Sequence, residues 1–286
     1  MFYSPLRYPG GKTKLAKFVG QIIEKNKLIG GEYVEPYAGG AGVALYLLLN
    51  DKVSSIVIND ADPVIYAFWW NVLYNTDSFI QEILQCNVNI DNWYLQKKIL
   101  NDPSSSKEQL GFATFFLNRT NISGVIKGGC IGGIEQKGKY KIDARFNKTD
   151  LVERIRRIGE YRDSILLYNM DALDLLDHIR VDLTQSSLVY LDPPYYVKGS
   201  ELYRNFYEHG DHAEIAKKVQ TINTPWLVSY DNVEQIKMLY AEQEQLDFYL
   251  NYSTNKERRK GAEILIYNGI NLPDNYKEYI HTAPAW

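Results

Sequence analysis

The sequence predicts an α/β fold that is interrupted by a helical, loop-rich insert. In both terminal parts of the 286-residue chain, short apolar runs with strand character alternate with helical patterns, which is the order found in βαβ units. The middle of the chain instead combines helical periodicity with a glycine-rich stretch that has no regular period. We therefore expect one domain built from residues 1–71 and 161–286, with an insert at residues 72–160.

The first βαβ unit is predicted near the N-terminus. Glu32–Pro36 has strand character, a glycine-rich turn follows, Val43–Asn50 has the pattern of a buried helix, and Ser54–Asp60 is a second strand. This order predicts that the two strands pair in parallel, with a right-handed crossover.

Regular elements are also predicted along the rest of the chain. Helical patterns continue from about Pro63 to Leu117, and Asp150–Tyr161 is an amphipathic helix. Strands and helices then alternate again. The last two strand-like runs, Leu246–Ser253 and Ala262–Asn268, predict a β-hairpin with a basic cluster in its connection.

The composition, 45% hydrophobic and 23% charged, is that of a globular protein. No apolar run reaches the roughly 18 residues of a membrane span, and the N-terminus lacks the apolar stretch of a secretory signal. The two cysteines, Cys86 and Cys130, have no metal or disulfide spacing, and His178, His209 and His212 have no zinc-ligand spacing. We expect no membrane contact, no metal, and a cytoplasmic location.

Positive charge is concentrated in one part of the chain. The formal net charge of −3 does not by itself indicate a polyanionic partner. Residues 118–157, however, contain ten Lys/Arg and four Asp/Glu, and Lys256–Lys260 forms a second basic run. A single such run is most simply a solvated helix face, whereas a clustered excess in an acidic chain points towards phosphate contact.

A glycine-rich loop between the first predicted strand and helix indicates a cofactor site. At Gly39, Gly40 and Gly42 the backbone N–H groups can approach a ligand closely. Asp60 ends the next strand, 18 residues beyond Gly42, and an acid at about this distance can accept hydrogen bonds from ribose hydroxyls. The spacing predicts a nucleoside-bearing cofactor, and the loop does not match the G-x-G-x-x-G pattern of dinucleotide sites.

The segment Pro9–Lys14 resembles the end of a phosphate-binding loop but lacks its beginning. That motif needs a glycine five positions before Gly11, where Leu6 stands, and a preceding strand. We therefore reject an NTPase, and expect that Lys12 meets a carboxylate or a phosphate.

Asp192, Pro193, Pro194 and Tyr195 follow a predicted apolar strand, at the edge where open α/β sheets bind ligands. The prolines fix a rigid turn with outward carbonyls, Asp192 offers a carboxylate acceptor, and Tyr195 offers a stacking face. This set matches a flat heterocycle with an exocyclic amine. Two acceptors that hold both amine hydrogens favour a pyramidal nitrogen, whose lone pair can then attack.

Together these motifs resemble the DNA adenine methylases of the Dam-like alpha group, N6-adenine-specific DNA methyltransferases that use S-adenosyl-L-methionine. The resemblance implies a Rossmann-like methyltransferase sheet whose strand order reverses beside the cofactor, and a target-recognition role for residues 72–160. It also implies site-specific methylation of adenine in double-stranded DNA. The matching segments, in the family's order, are LRYPGGK, YVEPYAGGAGV, VIND, FFLNRT, ARFNK, LYNMDALDLL, VYLDPPY and LVSYDN.

The resemblance implies roles for the matching residues. Asp192 and the Pro193 carbonyl would hold the target amine, Pro194 would fix the turn, and Tyr195 would stack on a base flipped out of the duplex. In the cofactor site, Asp60 would hold the ribose and Asp171 would approach the adenine ring. The implied cofactor-binding residues are Tyr8, Lys12, Glu35, Pro36, Tyr37, Ala38, Gly39, Gly40, Gly42, Asp60, Asp171 and Asp192.

Basic and polar residues of the insert and of the terminal hairpin are the candidates for DNA contact, mostly to phosphates. They are Asn118, Arg119, Lys127, Lys137, Lys139, Arg258 and Arg259. The segment after Arg119 lacks the GL-x-R element of members that read GATC, so no particular recognition site is predicted. We also expect a monomer of prokaryotic or phage origin, with a restriction endonuclease for the same site as a possible partner.

Three other functions remain open from the residues. The N4 amine of cytosine presents the same two hydrogens to the same acceptors. A catalytically silent DNA-binding protein could keep the fold, but it would not need Asp192, Pro193 and Tyr195 intact. A nicotinamide oxidoreductase would give this turn no role, and binding of a labelled nicotinamide cofactor would support it.

Overall fold

The computed structural model describes residues 3–7, 12–180, 182–197, 207–253 and 258–282. The described helices are α1 Ala16–Lys25, α2 Gly42–Leu48, α3 Pro63–Tyr74, α4 Thr76–Gln85, α5 Ile90–Asn101, α6 Lys107–Thr120, α7 Lys148–Glu160, α8 Ala172–Ile179, α9 His209–Val219 and α10 Glu234–Leu239. The described strands are β1 Glu32–Glu35, β2 Ser55–Asn59, β3 Ile165–Tyr168, β4 Leu188–Leu191, β5 Trp226–Asp231, β6 Glu244–Ser253, β7 Arg258–Asn268 and β8 His281–Thr282.

The chain forms two compact units. The first consists of Met1–Gly11 and Asp60–Asn169, and the second of Lys12–Asn59 and Met170–Trp286. The predicted insert, residues 72–160, lies entirely within the first unit, which extends further in both directions to include α3 and β3.

The second unit contains seven strands in the order β2-β1-β4-β5-β7-β6-β8. β1 pairs in parallel with β2, as predicted for the βαβ unit, and on its other side with β4. β5 continues the parallel part, and β7, β6 and β8 add antiparallel strands. The α/β class is therefore confirmed. The order of strands reverses between β1 and β4, and ligands of open α/β sheets bind at such a reversal.

The core of the second unit includes the whole of β4, whose four residues are all buried. Trp226 and Tyr230 on β5 are also buried, as are Phe18 and Ile22 on α1. A strand that is apolar along its whole length is typical of a parallel strand covered on both faces. The polar residue that follows β4 is consequently carried by a rigid element.

The first unit packs its helices around phenylalanine side chains. Phe68 on α3 stacks on Phe115 of α6 at a centroid distance of 6.1 Å, and Phe79 of α4 meets both rings edge to face. A capping box formed by Ser106 and Gln109 starts α6, which stabilises its first turn. This packing explains why α3 belongs to the first unit.

The terminal hairpin is present, but both strands begin earlier than predicted, and β7 starts at Arg258, so that residues 258–260 of the basic run lie in the strand and not in the connection. β6 begins at Glu244, and the preceding helix α10 ends at Leu239. The helix ends there because Tyr240 leaves the helical conformation, at φ −121°, and buries its ring. None of the described helices has the length and apolar character needed to cross a membrane.

Candidate active site

Asp192 stands at the carboxyl-terminal end of β4. β1 and β5 run parallel to β4 on its two sides, in registers that pair Val34 with Val189 and Leu191 with Val228. Asp192 therefore lies at the edge where three parallel strands end, beside the reversal of strand order. This is the position at which open α/β sheets bind ligands.

The two prolines that follow form a buried turn whose far end is tied to β5. Pro193 and Pro194 are both buried. The backbone N–H groups of Tyr196 and Val197 donate to the two carboxylate oxygens of Asp231, at 2.8 and 3.0 Å. Because each proline has a fixed φ and Asp231 holds the backbone of Tyr196 and Val197, the turn has little conformational freedom.

The Asp192 carboxylate accepts two hydrogen bonds on one of its oxygens. Lys12 Nζ and Ser229 Oγ each lie 2.7 Å from Oδ1. The Ser229 hydroxyl is also 3.0 Å from the hydroxyl of Tyr190. Within the described part of the chain both bonds fall on Oδ1, so the lone pairs of Oδ2 are left for another donor.

The Tyr195 hydroxyl lies between a cation and a second carboxylate. Lys12 Nζ donates to it over 3.1 Å, and it donates to Glu263 Oε1 over 2.8 Å. Lys12 Nζ is also 3.6 Å from Glu263 Oε2. Lys12, Asp192, Tyr195, Ser229 and Glu263 are called the Asp192 network below. The sequence prediction that Lys12 meets a carboxylate is confirmed by its bond to Asp192.

Three residues of this region were not among the predicted site residues: Ser229, Asp231 and Glu263. Ser229 and Asp231 lie in the segment LVSYDN, next to Asp192 across the sheet. Glu263 is a single acid inside the apolar run AEILIYN and is only 1% exposed. An acid within a buried strand needs hydrogen-bond or charge partners. A single acid in an apolar run is therefore the sequence signal that could have identified Glu263 as a site residue.

The glycine loop follows β1 and is held against the end of β2. Ala38 N donates to the Asn59 carbonyl at 2.8 Å, and Asn59 Nδ2 donates to the Pro36 carbonyl at 2.9 Å. Gly39 and Ala41 adopt φ values of 47° and 46°, in the left-handed region that glycine enters most easily. The loop therefore has a defined path just beyond the β1 end.

The carboxyl group of Glu35, at the end of β1, is buried among neutral donors. Its Oε1 accepts from the Tyr33 hydroxyl at 2.9 Å and from Ala44 N at 3.2 Å. Burial raises the pKa of Glu35 to about 8, because a low-dielectric environment penalises the ionised form. The group is consequently protonated at neutral pH and can ionise when a cation is placed beside it.

Gly42 begins α2 at a close contact with the segment that carries Lys12. A Cβ atom at Gly42 would lie 2.1 Å from Thr13 Oγ1, so that a larger residue would displace Thr13. The contact fixes Lys12, the neighbour of Thr13, with respect to the glycine loop.

The two other predicted cofactor acids each accept a hydrogen bond from nearby backbone. Asp60 follows β2, and its Oδ1 accepts from Asp62 N at 2.9 Å. Asp171 caps α8 by accepting from Leu173 N at 2.8 Å, and it is exposed. These local bonds orient both carboxylates. Tyr8 lies outside the described residues.

Aromatic side chains connect the glycine loop with the segment that follows the proline turn. The hydroxyls of Tyr37 and Tyr207 are 3.2 Å apart. The buried ring of His212 lies 5.7 Å from the Tyr207 ring and 5.1 Å from the Tyr196 ring, and its Nδ1 is 3.1 Å from the Tyr230 hydroxyl. Burial lowers the pKa of His212, so its imidazole is neutral at physiological pH.

Asn118 is a structural residue of the first unit. It is 1% exposed; its Oδ1 accepts from Arg7 N at 2.7 Å, and its Nδ2 donates to the carbonyls of Arg7 and Gly124. The amide thus uses its donors and acceptor on the backbone and has no exposed polar atom to offer DNA, in contrast to the sequence expectation.

Arg119 belongs to a group of arginines, here called the arginine cluster: Arg7, Arg119, Arg145 and Arg154. Arg119 Nε donates to the Arg145 carbonyl at 2.7 Å, and Arg154 pairs with Asp150 at 2.8 Å. Burial, and then the charges of Arg7 and Arg154, lower the pKa of Arg119 to about 10, while Asp150 acts in the opposite direction. The repulsion of Arg119 by the other guanidinium groups is therefore larger than its attraction to Asp150.

The predicted DNA-contacting lysines, Lys127, Lys137 and Lys139, are all exposed in the glycine-rich segment of the first unit. Lys137 pairs with Glu135. The side chains of Arg258 and Arg259 lie outside the described residues.

The family of the chain is decided by its sequence. Residues 8–256 match the profile of the family described as D12 class N6 adenine-specific DNA methyltransferase. The chain belongs to this family. It is therefore an adenine-specific DNA methyltransferase, and the resemblance stated from the motifs is confirmed.

A distant relative agrees with this assignment. The Type II methyltransferase M.MjaIII of Methanocaldococcus jannaschii is 22% identical over 206 residues, which cover 66% of this chain and 68% of that protein.

Two solved structures are similar to a limited degree. The crystal structure of SMU.776 complexed with SAH has a TM-score of 0.36 and 11% identity, and it covers 87% of this chain. The match covers 49% of SMU.776, so this chain spans about half of its length. The structure of LPL1258 from Legionella pneumophila has a TM-score of 0.35 and 10% identity, with 96% and 89% covered.

The methyltransferase takes its methyl group from S-adenosyl-L-methionine. The residues at the β1 end fit this cofactor, because the buried Glu35 carboxyl can accept a hydrogen bond from an ammonium group beside the glycine loop. When bound, the cofactor supplies a methyl group on a sulfonium. Among the described residues, no group of three His, Cys, Asp or Glu side chains is arranged to hold a metal ion.

Proposed function

We propose that this methyltransferase acts on adenine in double-stranded DNA and receives the target base, flipped out of the helix, beside Asp192, Pro193 and Tyr195. The observation that carries the proposal is the arrangement of the Asp192 carboxylate. Lys12 and Ser229 occupy Oδ1, which orients Oδ2 for a donor from the substrate. An exocyclic amine has two such donors.

The turn supplies the second acceptor. The Pro193 carbonyl would accept one hydrogen of the N6 amine while Asp192 Oδ2 accepts the other. Held by two acceptors, the amine becomes pyramidal, and its lone pair leaves conjugation with the ring. As the bond from this nitrogen to the methyl carbon forms and the bond from that carbon to sulfur breaks, positive charge would grow on the nitrogen, where the Asp192 carboxylate would stabilise it. The methylated amine would then lose one proton to water.

Tyr195 would stack against the flipped base. Its hydroxyl accepts a hydrogen bond from Lys12 and donates one to Glu263, so the ring needs little movement when the base arrives. Base flipping costs roughly a few kcal/mol of lost stacking and pairing, and stacking on an aromatic ring recovers part of it.

The cofactor site would be formed by residues that follow β1 and by the acids at other strand ends. Glu35 and the backbone of the glycine loop would hold the methionine part, Asp60 the ribose hydroxyls, and Asp171 the cofactor's adenine ring. The remaining contacts would come from Tyr8, Lys12, Pro36, Tyr37, Ala38, Gly39, Gly40 and Gly42.

DNA would be held largely through its phosphates. The arginine cluster and the exposed Lys127, Lys137 and Lys139 offer this charge in the first unit, and Arg258 and Arg259 in the terminal hairpin. We further propose that the enzyme works as a monomer in the cytoplasm, that it is encoded by a prokaryote or a phage, and that a restriction endonuclease for the same site accompanies it.

Two measurements test the proposal together. Duplex DNA of mixed sequence is incubated with the enzyme and S-adenosyl-L-methionine, digested to nucleosides and analysed by mass spectrometry, and the modified sites are sequenced. We expect N6-methyladenosine at one short sequence. A duplex with 2-aminopurine at the target position should then gain fluorescence on binding. N4-methylcytosine, or methylation of single strands alone, would contradict the proposal, and unchanged fluorescence would contradict base flipping.

A further inference from the structure

Glu263 is a buried acidic residue, and the proposed function gives it no role in the reaction beyond its bond to Tyr195. It lies on β7, opposite Asp231 of β5 and Phe248 of β6, and is 1% exposed. An ionised carboxylate without partners costs several kcal/mol in such a position. The groups around it should therefore be specific, and they identify what it does.

Both oxygens of Glu263 face donors of the Asp192 network. Oε1 accepts from the Tyr195 hydroxyl at 2.8 Å, and Oε2 lies 3.6 Å from Lys12 Nζ. Lysine can only donate and a carboxylate can only accept. The phenol must consequently accept from Lys12 and donate to Glu263, which fixes the direction of the chain of hydrogen bonds.

Lys12 connects Glu263 to the reacting end of the network. The same ammonium that faces Glu263 donates to Asp192 Oδ1 at 2.7 Å, and its side chain is 3% exposed. With Glu263 on one side and Asp192 on the other, Lys12 is held between two anions. Without Glu263, the ammonium could move towards Asp192 and compete with the substrate for Oδ2.

The network also has an excess of negative charge. One ammonium lies between two carboxylates. Positive charge grows on the target nitrogen during methyl transfer, and a preorganised negative environment stabilises it more than it stabilises the neutral ground state. Removal of the Glu263 charge would leave Lys12 and Asp192 as a neutral pair.

We propose that Glu263 is a positioning residue for methyl transfer: it fixes the Tyr195 ring and the Lys12 ammonium and, through Lys12, directs Asp192 Oδ2 towards the target amine. This inference rests on the proposed function of Asp192 and Tyr195. Its effect should fall on the rate of the chemical step rather than on the binding of cofactor or DNA.

The test is a single-turnover assay with preformed enzyme–DNA complex and labelled S-adenosyl-L-methionine. Glu263→Gln keeps the volume and an acceptor for Tyr195, but it removes the charge and places an amide donor near Lys12. We expect the methyl-transfer rate constant to fall about 10- to 100-fold, with dissociation constants for cofactor and DNA within about twofold of wild type. The matched control is Asp247→Asn on the neighbouring strand β6, which removes a half-buried ion pair with Lys237 and should leave the rate unchanged.

A double-mutant cycle separates positioning from a general structural role. Tyr195→Phe removes the one oxygen that links Glu263 to the ring, and we expect the double variant to be about as slow as the slower single variant. Losses that multiply would overturn the proposal, as would a folded Glu263→Gln enzyme with the wild-type rate. If Glu263→Gln does not fold, a wild-type rate in Tyr195→Phe would overturn it instead. DNA methylation by the wild-type enzyme is measured first, so that failure of the proposed function is distinguished from failure of this inference.

Discussion

The charged groups around Asp192 and those around Arg119 are organised in opposite ways. In the Asp192 network an ammonium, two carboxylates and two hydroxyls are bonded mainly to one another. In the arginine cluster the guanidinium groups bond mainly to backbone carbonyls, such as that of Arg145, and they disfavour one another's charge.

This difference indicates two functions, catalysis for the Asp192 network and DNA binding for the arginine cluster. A network that satisfies its own groups can hold one oxygen of Asp192 in place for a reaction, because little rearrangement is needed when the substrate arrives. A cluster with excess positive charge is stabilised when an anion approaches, and DNA supplies closely spaced phosphates. Changes in the first region should therefore alter rate constants, and changes in the second should alter affinity and its dependence on salt.

The largest effect is expected from Asp192→Asn. The amide would present a donor where the target amine needs an acceptor, and Lys12 would lose its closest anion. We expect the single-turnover rate constant to fall by about 10³-fold or more, independently of salt, while calorimetry shows cofactor binding largely retained. Asp174→Asn, an exposed acid in the first turn of α8, is the matched control. Near-normal turnover by Asp192→Asn would contradict the claim that the Asp192 network determines the rate of methyl transfer.

A smaller effect, on DNA affinity and its salt dependence and not on the rate constant, is expected from Arg145→Ala. Arg145 is exposed and contributes charge to the arginine cluster. Loss of one phosphate contact should reduce the slope of log K against log salt by about 0.9 and weaken DNA binding at low salt, with an unchanged rate constant at saturating DNA. Fluorescence anisotropy across a salt series measures this.

The control for Arg145→Ala is Arg162→Ala, in the same unit, where an exposed arginine lies beside Asp163. Equal salt slopes for the wild type and both variants would show that the cluster does not meet phosphates.

Local patterns in the sequence were sufficient for much of the fold. The βαβ unit at β1 and β2 depends on short-range periodicity and on the glycines after β1, and the terminal hairpin on two apolar runs that are close in the chain; both were found. The position of Asp192 at a strand end likewise followed from an apolar run and the prolines after it. Such features are encoded by residues that are neighbours in the chain.

Features that depend on the order of strands were not predictable in this way. Lys12 and Glu263 come from opposite ends of the sequence and meet because β7 lies beside β5 and β5 beside β4. Asn118, in the matching segment FFLNRT, was a candidate for DNA contact. It is instead buried by a contact with Arg7, more than a hundred residues away, which no local pattern indicates.

The last prediction concerns Glu35, a buried acid whose pKa is raised by burial and also by the charge of Asp192. With its pKa raised to about 8, the folded protein holds a proton between about pH 5 and 8 that the unfolded chain has already lost. The free energy of unfolding should therefore fall as pH rises through this range, by up to about 1.4 kcal/mol per pH unit from this group. Glu35→Gln has no such proton and should lose less stability.

Urea unfolding of both proteins, at several values from about pH 5 to 8, measures this difference. Other titrating groups cancel when the two curves are subtracted, and Glu234→Gln, an exposed acid at the start of α10, serves as the control. A difference that declines with pH means that Glu35 is neutral at physiological pH, and that the negative charge near the target amine comes from Asp192 and Glu263. Parallel curves would mean that Glu35 is ionised as well, and the charge that we assign to Glu263 would no longer be distinctive.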